Sequence, residues 1–333
     1  MNIKNTVSMQ DLADELGVSK VTISKALNDK YGVSDELKKK IFEAAEKHGY
    51  NLPDYGKRKT QKIGIIMSEK FNSNDKGKFY MGMYDHIINE LRKYSCTSVM
   101  ITPTRNTILK DVQTLVDTGN FDGLILLGIL DHKVKDILQN IELPKVFVDI
   151  YDVTQKSDSV VTENIYSSYD ITGELINRGH KKIGFVGTVG STTSITDRYL
   201  GYERKMMEQE VEIKEQWIIP DRDENGVLPL VLPEDLPTAF VCNCDETAFQ
   251  LVKDLRNRGL LIPRDISIVG FDDSVYSRLC EPPLTTVAVN INQIGRVTAK
   301  RIMKSMEKPN KGVGEVFRIP GQIIYRDSIK DIR

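Results

Sequence analysis

Two patterns of apolar and polar positions follow each other along the chain. Over about the first fifty residues, apolar side chains recur every three or four positions, which predicts three short helices. From Lys62 onward, short runs rich in Ile, Val and Leu alternate with amphipathic stretches, as expected for buried parallel strands separated by helices. A chain of 333 residues is also too long for one ordinary core. We therefore expect a small helical domain followed by a larger α/β domain.

The three predicted helices have the order and spacing of a helix-turn-helix. Ser8 opens the first helix with the spacing of a capping box, and Gly17 ends it, where a left-handed residue is easiest. The second helix runs from Ser19 or Lys20 to Leu27, and the third follows another serine. The major groove of DNA requires a short, braced second helix with small or polar residues at its N-terminal end.

The second helix presents such residues, namely Lys20, Thr22, Ser24 and Lys25. The alternative is a small three-helix bundle whose lysines are only solvated. Hydroxyl side chains interleaved with apolar ones favour DNA binding over that alternative. The charge balance agrees, because residues 1–62 hold twelve Lys and Arg against nine Asp and Glu, whereas the whole chain has a net charge of −1.

The rest of the chain contains two successive sets of strand and helix patterns. The first set has the strand-like runs KIGIIM, TSVMIT, DGLILLG and KVFVDI, and the second has KKIGFVG, TAFVCN and ISIVGFDD. Two such sets predict an α/β fold with two doubly wound parallel-sheet lobes. Because ligands of open α/β sheets bind at the carboxyl ends of the strands, we expect a ligand cleft between the lobes.

Four charged residues fall at or just after the ends of these strands: Asp149, Arg198, Asp245 and Asp272. Each carboxylate can accept hydrogen bonds from two hydroxyl groups, and arginine donates to ring and hydroxyl oxygens. Any one of these residues could be only a helix cap or a turn residue. Four of them at equivalent places favour a site for a hydroxyl-rich ligand.

The sequence shows no catalytic or metal-binding motif, so we expect no enzymatic activity, no cofactor and no metal. Cys242 and Cys244 lack partner ligands at zinc spacing and are predicted to be buried strand thiols. The loop GTVGSTTS lacks the lysine of a phosphate-binding loop and is predicted to line the cleft. No window approaches ~18 unbroken apolar residues, and the N-terminus has no apolar signal region, which predicts a cytoplasmic protein without a membrane partner.

The segment VSMQDLADELGVSKVTISKALN, continued by VSDELKKKIFEAAEKHGY, closely resembles the headpiece of lactose-repressor-type (LacI/GalR) transcription regulators. The resemblance implies DNA contacts along the second helix, made by Ser19, Lys20, Val21, Thr22, Ser24, Lys25 and Asn28. Of these, Lys20, Val21 and Lys25 would read base edges, and Thr22, Ser24 and Asn28 would lie near phosphates. Many relatives carry Arg in place of Lys25, and lysine cannot form the planar fork with guanine, so the operator preference is expected to differ there.

The remainder resembles the same family, and through it the periplasmic sugar-binding proteins, by the motifs PKVFVD, NRGHKKIGFVG, DRYLGY, TAFVCNCDETA, LIPRDISIVGFDDS and PPLTTV. The resemblance implies a homodimer and a set of effector contacts at Asp149, Arg198, Asp245, Asp272 and an aromatic residue, Phe79 or Tyr80.

It also implies a division into a headpiece (residues 1–52), a basic linker (53–62) and an effector-binding and dimerisation domain (63–333). Within that domain, the N-lobe is expected at about 63–158 and 289–320, and the C-lobe at about 159–288 and 321–333.

Three departures from the family pattern concern the ligand. Cys244 stands where relatives often have Asn, and Leu127 stands where some sugar-inducible relatives have Asn. Residues 220–238 contain four prolines where relatives usually have a helix, and Trp217, just before them, is expected to anchor a strand. The effector is therefore expected to differ from those of the familiar members.

The stretch NLPDYGKRKTQKIG departs from the family in another way. Relatives usually have a hinge helix there, with an Ala-x-x-Leu pattern whose leucine wedges into the minor groove. This chain lacks the pattern, and Gly56 with four basic residues disfavours a helix. We predict an extended basic tether whose Lys57, Arg58 and Lys59 contact phosphates without separating base pairs.

These features predict a sequence-specific transcription regulator, most simply a repressor on the bacterial nucleoid, that binds near-palindromic double-stranded DNA under the control of a small-molecule effector. The expected effector is a sugar or a sugar derivative such as a sugar phosphate, and a purine-like or other metabolite acting as co-repressor is the alternative. A solute-binding protein of the transport class and an α/β enzyme with an added DNA-binding domain are further alternatives. The headpiece argues against the first of these, and the lack of a catalytic motif argues against the second.

Overall fold

The computed structural model describes residues 7–27, 32–50, 60–67, 75–103, 110–128, 137–138, 141–223, 226–308 and 312–333. The chain divides into two compact units, Met1–Gln61 and Lys62–Arg333.

The first unit contains three helices, α1 (Met9–Leu16), α2 (Lys20–Leu27) and α3 (Asp35–Lys47). The predicted capping box forms at the start of α1, since Ser8 Oγ accepts from Asp11 N and Asp11 Oδ2 accepts from Ser8 N. Gly17 ends α1 in the left-handed conformation, with a φ of 63°. The predicted helix-turn-helix is confirmed.

A small apolar core joins the inward faces of these three helices. It is formed by side chains that include Leu12, Ile23, Ala26, Ile41 and Ala45, all fully buried. The core fixes α2 from one side and leaves its polar residues on the opposite face, as the spacing of its apolar positions requires.

The second unit contains seven helices in its described ranges: α4 (Asp75–Lys93), α5 (Lys110–Gly119), α6 (Asn164–Asn177), α7 (Thr193–Glu208), α8 (Asp245–Asn257), α9 (Val275–Leu279) and α10 (Ile291–Glu307). Its strands form two sheets. The first sheet consists of β1 (Lys62–Met67), β2 (Thr97–Ile101), β3 (Gly123–Leu127), β4 (Lys145–Val148), β5 (Asp158–Thr162) and β11 (Val316–Ile319). The second consists of β6 (Ile183–Val186), β7 (Ile218–Ile219), β8 (Ala239–Cys242), β9 (Ser267–Asp272), β10 (Thr285–Ala288) and β12 (Gln322–Ile324).

Both sheets have the strand order of doubly wound folds, which confirms the predicted fold class. The order is β11-β5-β4-β3-β1-β2 in the first sheet and β12-β10-β9-β8-β6-β7 in the second. The described pairs are parallel, except that β12 runs antiparallel to β10. Strands β3, β4 and β5 are buried along their whole length, which explains the apolar runs GLILL of β3 and VFV of β4. Strand β5 (DSVVT) also buries three polar residues, Asp158, Ser159 and Thr162.

The chain crosses between the two lobes three times: between β5 and α6, between β10 and α10, and between β11 and β12. The first crossing differs from the predicted lobe boundary. Asp158–Thr162 pairs with β4 and β11 in the first sheet, although residues from 159 onward were expected in the C-lobe. The sequence DSVVT contains no continuous apolar run, and a strand pattern does not show which sheet the strand joins, so this boundary could not be read from the sequence.

The motif DRYLGY has a packing reason. Gly201 lies where α7 crosses α6, and a Cβ atom at this position would stand 2.1 Å from the carbonyl oxygen of Ile165. The next residue, Tyr202, is fully buried and donates a hydrogen bond to Ile183 O at 2.8 Å. This close packing fixes α7, and with it Arg198 one turn earlier.

The predicted departure at residues 220–238 is also found, since no helix forms in the described residues of this range. Trp217 is buried just before it and donates from Nε1 to Asp235 O at 2.8 Å, which anchors the loop to the lobe. None of the helices in the described ranges is both long and apolar enough to cross a membrane.

Candidate functional site

A cavity of about 470 Å³ lies between the two lobes of the second unit, at the carboxyl ends of their strands. Five of the six predicted effector residues line it: Phe79, Tyr80, Asp149, Arg198 and Asp272. The loop GTVGSTTS contributes Thr192 and Ser194, as predicted.

On the N-lobe side, Asp149 follows β4 in the left-handed conformation, with a φ of 60°. Tyr80 on α4 donates its hydroxyl to Asp149 Oδ2 at 2.7 Å. Burial raises the pKa of Asp149 above its usual range, against the effect of that hydrogen bond. Burial, with the charge of Asp149, also raises the pKa of Tyr80, so the tyrosine remains a hydrogen-bond donor. Phe79 stands edge-on to the Tyr80 ring, with centroids 5.4 Å apart.

On the C-lobe side, Arg198 is fixed from three directions. Its Nε donates to Asn164 Oδ1 at 2.8 Å, and its Nη1 donates to Asn243 O at 2.5 Å. Its guanidinium lies over the Phe271 ring, 3.7 Å from the centroid. The third nitrogen, Nη2, lies 3.1 Å from Asp272 Oδ1. Arg198 therefore presents a positioned cationic edge to the cavity.

Asp272 ends β9 with a φ of 104°, a backbone conformation that non-glycine residues rarely adopt. Its Oδ1 atom is buried and receives no hydrogen bond of acceptable geometry from the described residues, despite the proximity of Arg198. Burial raises the pKa of Asp272 to about 6, and the charge of Asp149 adds to that effect while Arg198 opposes it. This carboxylate oxygen can therefore accept a hydrogen bond from a donor group of a ligand.

Asp245, the sixth predicted residue, lies behind the cavity wall and is fully buried. Its Oδ1 accepts from Thr286 Oγ1 at 2.6 Å, and its Oδ2 accepts from Ser274 N at 2.7 Å. Burial, with the charge of Asp272, raises its pKa to about 7. Through Ser274, Asp245 holds the segment that carries Asp272 and Asp273.

Arg222 is a residue of the cavity that sequence reasoning missed. It donates from Nε and Nη2 to Asp221 and from Nη2 to Asn243 Oδ1 at 3.0 Å. Burial opposes ionisation of Asp221, but the hydrogen bonds and charge of Arg222 hold its pKa well below its usual range. Arg222 follows the two-residue strand β7 in the proline-rich segment. No periodic pattern in this segment predicts where the Arg222 side chain points.

The two central cysteines occupy different places. Cys242 is buried in β8 as predicted, but Cys244 lines the cavity rather than lying buried in the strand. Strand β8 ends at Cys242, so Cys244 falls at the start of α8, where strand alternation no longer sets its direction. The described residues contain no group of three or more His, Cys, Asp or Glu side chains that could hold a metal ion.

An apolar surface completes the cavity. Its members come from both lobes and include Ile195, Val275, Tyr276, Val289 and Ile291. Such a surface can pack against the non-polar face of a ligand, while the polar residues opposite fix the ligand's orientation.

The first unit presents a separate polar surface on α2. Val21 is 64% exposed, and Ser19, Lys20 and Lys25 are exposed beside it. Ser19 Oγ accepts from Thr22 N at 3.0 Å and so caps the start of the helix. Ser24 is half-buried on the same helix. The other four predicted DNA contacts, Asn28, Lys57, Arg58 and Lys59, lie outside the described residues, as does the rest of the predicted tether over residues 51–59.

Comparison with known proteins gives two matching family models. Residues 8–52 match the model described as bacterial regulatory proteins, lacI family, and residues 172–329 match a periplasmic binding protein-like domain. Catabolite control protein A of Priestia megaterium is 26% identical over 337 residues, which cover 97% of this chain and 99% of the relative. The HTH-type transcriptional repressor PurR of Haemophilus influenzae (strain PittEE) is 27% identical over 341 residues, 98% of this chain and 99% of the relative.

Among solved structures, a complex of the transcriptional regulator CelR with cellobiose has a TM-score of 0.69 at 19% identity. The match covers 97% of this chain and 99% of that chain, so the similarity of fold extends over both units.

Proposed function

The chain belongs to the LacI family of bacterial regulatory proteins, and we propose that it is a repressor whose release from DNA or binding to it is switched by a carbohydrate. It is a DNA-binding transcription regulator with a small-molecule effector. We further propose that it represses transcription from an operator as a homodimer, that its effector is a carbohydrate, and that it acts in the bacterial cytoplasm.

One observation carries the carbohydrate proposal: Asp149, Arg198 and Asp272 converge on one cavity from both lobes. The two carboxylates accept hydrogen bonds from hydroxyl groups, and the guanidinium donates to hydroxyl and ring oxygens. A purine-like co-repressor is the second candidate, because the apolar surface with Tyr276 can also pack against a flat ring. The effector acts by binding, and no turnover is part of the proposal.

For DNA, we propose that α2 enters the major groove of each half of a near-palindromic operator. Lys20, Val21 and Lys25 would meet base edges, and Ser19, Thr22, Ser24 and Asn28 would lie at the helix start or near phosphates. Lys57, Arg58 and Lys59 would add phosphate contacts along the tether. The exposure of Val21 and Lys25 supports the part of this proposal that concerns α2.

The DNA part of the proposal is tested by footprinting of purified protein on near-palindromic sites from its own genome. Lys25→Ala should alter which site is preferred, whereas Lys39→Ala, a matched exposed lysine on α3, should not. Failure to protect any palindromic site above nonspecific background would contradict the proposal.

The effector part is tested by thermal-shift screening against sugars, sugar phosphates and nucleobases, because a ligand of the native state raises the unfolding midpoint. Asp272→Ala should abolish the shift from the best sugar. Asp235→Ala, outside the cavity lining, should leave it unchanged. An unchanged affinity in Asp272→Ala would show that the ligand binds elsewhere.

A further inference from the structure

The positive charges that face the cavity are already engaged by carboxylates. Among the described residues, the cationic side chains of the lining are Arg198, Arg222 and Arg278. Arg222 forms a close ion pair with Asp221, and Arg198 Nη2 lies 3.1 Å from Asp272 Oδ1. Arg278 lies at the more exposed edge, with Nη1 3.4 Å from Asp273 Oδ1. An incoming anion would have to compete with a carboxylate for each of these guanidinium groups.

In the described part of the lining, four carboxylates (Asp149, Glu246, Asp272 and Asp273) face the cavity beside the three guanidinium groups. Behind the wall lie two further carboxylates, Asp221 and Asp245, and one further cation, Arg326, which pairs with Asp273 at 2.5 Å. Burial raises the pKa of Asp149 and of Asp272, so the described residues of the site do not supply enough positive charge and solvent to offset the burial of these two anions. A ligand with a negative charge would add to the electrostatic repulsion between these carboxylates.

The hydrogen-bonding capacity of the site is instead suited to hydroxyl donors. Asp272 Oδ1 is buried and lies 3.1 Å from Arg198 Nη2, but this ion pair lacks hydrogen-bond alignment, so the oxygen can still accept from a ligand hydroxyl. Hydroxyl groups of a neutral ligand can supply such donors without adding charge. The apolar members Ile195, Val289 and Ile291 accommodate carbon surface and offer nothing to a phosphate.

We propose that the effector is an uncharged polyhydroxyl compound, a free sugar or a glycoside, and that the cavity excludes its phosphorylated form. This inference rests on the proposed carbohydrate effector and narrows it. A phosphate monoester carries a charge of about −1.5 to −2 at neutral pH. The free and phosphorylated sugars therefore differ mainly in negative charge, which the lining disfavours. The side chains responsible for the exclusion are Asp149 and Asp272.

The test uses the full chain and matched pairs of ligands that differ only in the phosphate. Glucose with glucose 6-phosphate, ribose with ribose 5-phosphate and fructose with fructose 1-phosphate are titrated by isothermal calorimetry, with inorganic phosphate as a control. In a pair that binds, the neutral member should bind at least about tenfold more tightly, because placing like charges together opposes binding. Equal or tighter binding of the phosphorylated member would overturn the inference and leave the carbohydrate proposal standing.

A charge variant separates electrostatic exclusion from lack of space. Asp272→Asn keeps the shape of the side chain and removes its charge, so it should reduce the ratio between neutral and phosphorylated affinities by about threefold or more, even if both affinities change. Asp235→Asn, outside the cavity lining, should leave the ratio unchanged. An unchanged ratio in Asp272→Asn would overturn the electrostatic explanation. If nucleobases bind and no sugar of either series does, the carbohydrate proposal itself fails, and this inference fails with it.

Discussion

At the scale of single residues, the cavity depends on carboxylates held in costly states. Asp149 and Asp272 have φ values of 60° and 104° at the ends of β4 and β9. Left-handed or similarly rare conformations cost on the order of 1–3 kcal/mol for a non-glycine residue and persist only where the surrounding structure imposes them. In both cases the turn directs a carboxylate into the cavity, where burial raises its pKa. Two of the residues proposed to bind the effector therefore combine conformational strain with loss of solvation.

The first prediction concerns the pH dependence that follows from Asp272. Its pKa is raised from 3.8 to about 6, so the native state disfavours its ionised form and this residue's contribution to stability is lost as the pH rises through 6. Asp272→Asn removes that dependence. Between pH 5 and pH 8, the free energy of unfolding of the variant should therefore gain about 1 kcal/mol relative to the wild type.

Urea unfolding followed by fluorescence of the single tryptophan, Trp217, provides the measurement. The comparison is made as a difference between variant and wild type, because other groups titrate in the same range. His180, for example, has a pKa lowered by burial and acts in the opposite direction below its ordinary value of 6.5. If the difference in unfolding free energy between variant and wild type does not change with pH, ionisation of Asp272 costs no stability in the folded protein.

The second prediction uses Cys244 as a reporter of the cavity. Cys244 lines the cavity, whereas Cys96, Cys242 and Cys280 are buried, and burial raises the pKa of the Cys244 thiol. Iodoacetamide should therefore label Cys244 slowly, faster at pH 9 than at pH 7, and before the other three cysteines. The best-binding sugar should slow the labelling, as measured by mass spectrometry of peptides.

Cys244→Ser is the matched control and should remove the site that is labelled first. Labelling of Cys244 at the same rate with and without a saturating sugar would place that sugar outside the cavity described here.

At the scale of elements, the C-terminal return of the chain to the first lobe is held by a buried ion pair. Arg301 on α10 donates from Nε to Asp158 Oδ2 at 2.7 Å, and Asp158 Oδ1 accepts from Glu315 N at 2.9 Å. The Arg301 guanidinium also lies over Phe317 of β11, 4.3 Å from the ring centroid. One arginine thus links the start of β5, helix α10 and strand β11.

The third prediction is that Arg301→Ala lowers the free energy of unfolding by about 3–5 kcal/mol, because it leaves Asp158 buried without its partner. Adding Asp158→Asn to the same chain should restore part of the loss, since the unpaired charge is then removed. Arg264→Ala, which breaks an exposed pair with Asp265, should cause a much smaller loss. Chemical unfolding of five proteins gives the comparison: the wild type, Arg301→Ala, Asp158→Asn, the double variant and the control Arg264→Ala. A full additive loss in the double variant would contradict the explanation.

The elements also show what sequence patterns can and cannot predict. The helix-turn-helix and the doubly wound sheets followed from apolar spacing because each strand and helix must bury its own apolar face. The rule that ligands bind at strand ends found Asp149, Arg198 and Asp272. It could not tell that Asp245, at the first position of α8, turns away from the cavity towards Thr286. It could not find Arg222, because the proline-rich segment that carries this residue has no periodicity. The Arg222 side chain is oriented by its contacts with Asp221 and Asn243, which no sequence pattern predicts.

At the scale of the whole effector domain, the effector residues belong to two lobes, so binding can favour one arrangement of the lobes over another. A hydrogen bond joins the lobes beside the cavity: Tyr151 OH donates to Asp197 Oδ2 at 2.8 Å. Tyr151 follows Asp149 by two residues on the N-lobe, and Asp197 directly precedes Arg198 on α7 of the C-lobe. Each partner is therefore adjacent in the chain to a residue proposed to contact the effector, and the bond fixes the distance between the two halves of the site.

The fourth prediction is that Tyr151→Phe weakens binding of the best sugar of the thermal-shift panel about three- to tenfold, because the lobes must then be brought together without this hydrogen bond. Tyr199→Phe is the matched control, since the Tyr199 hydroxyl contacts Glu203 of the same helix at 3.2 Å and joins no second lobe.

Asp197→Asn should weaken binding by a similar factor, and the double variant should be little worse than either single variant if both act through the same bond. Calorimetric titration of the wild type and these four variants measures the affinities. Equal losses in Tyr151→Phe and Tyr199→Phe, or additive losses in the double variant, would mean that this bond does not couple the lobes. The coupling matters for regulation because an effector shifts operator binding only as far as it prefers one lobe arrangement to the other.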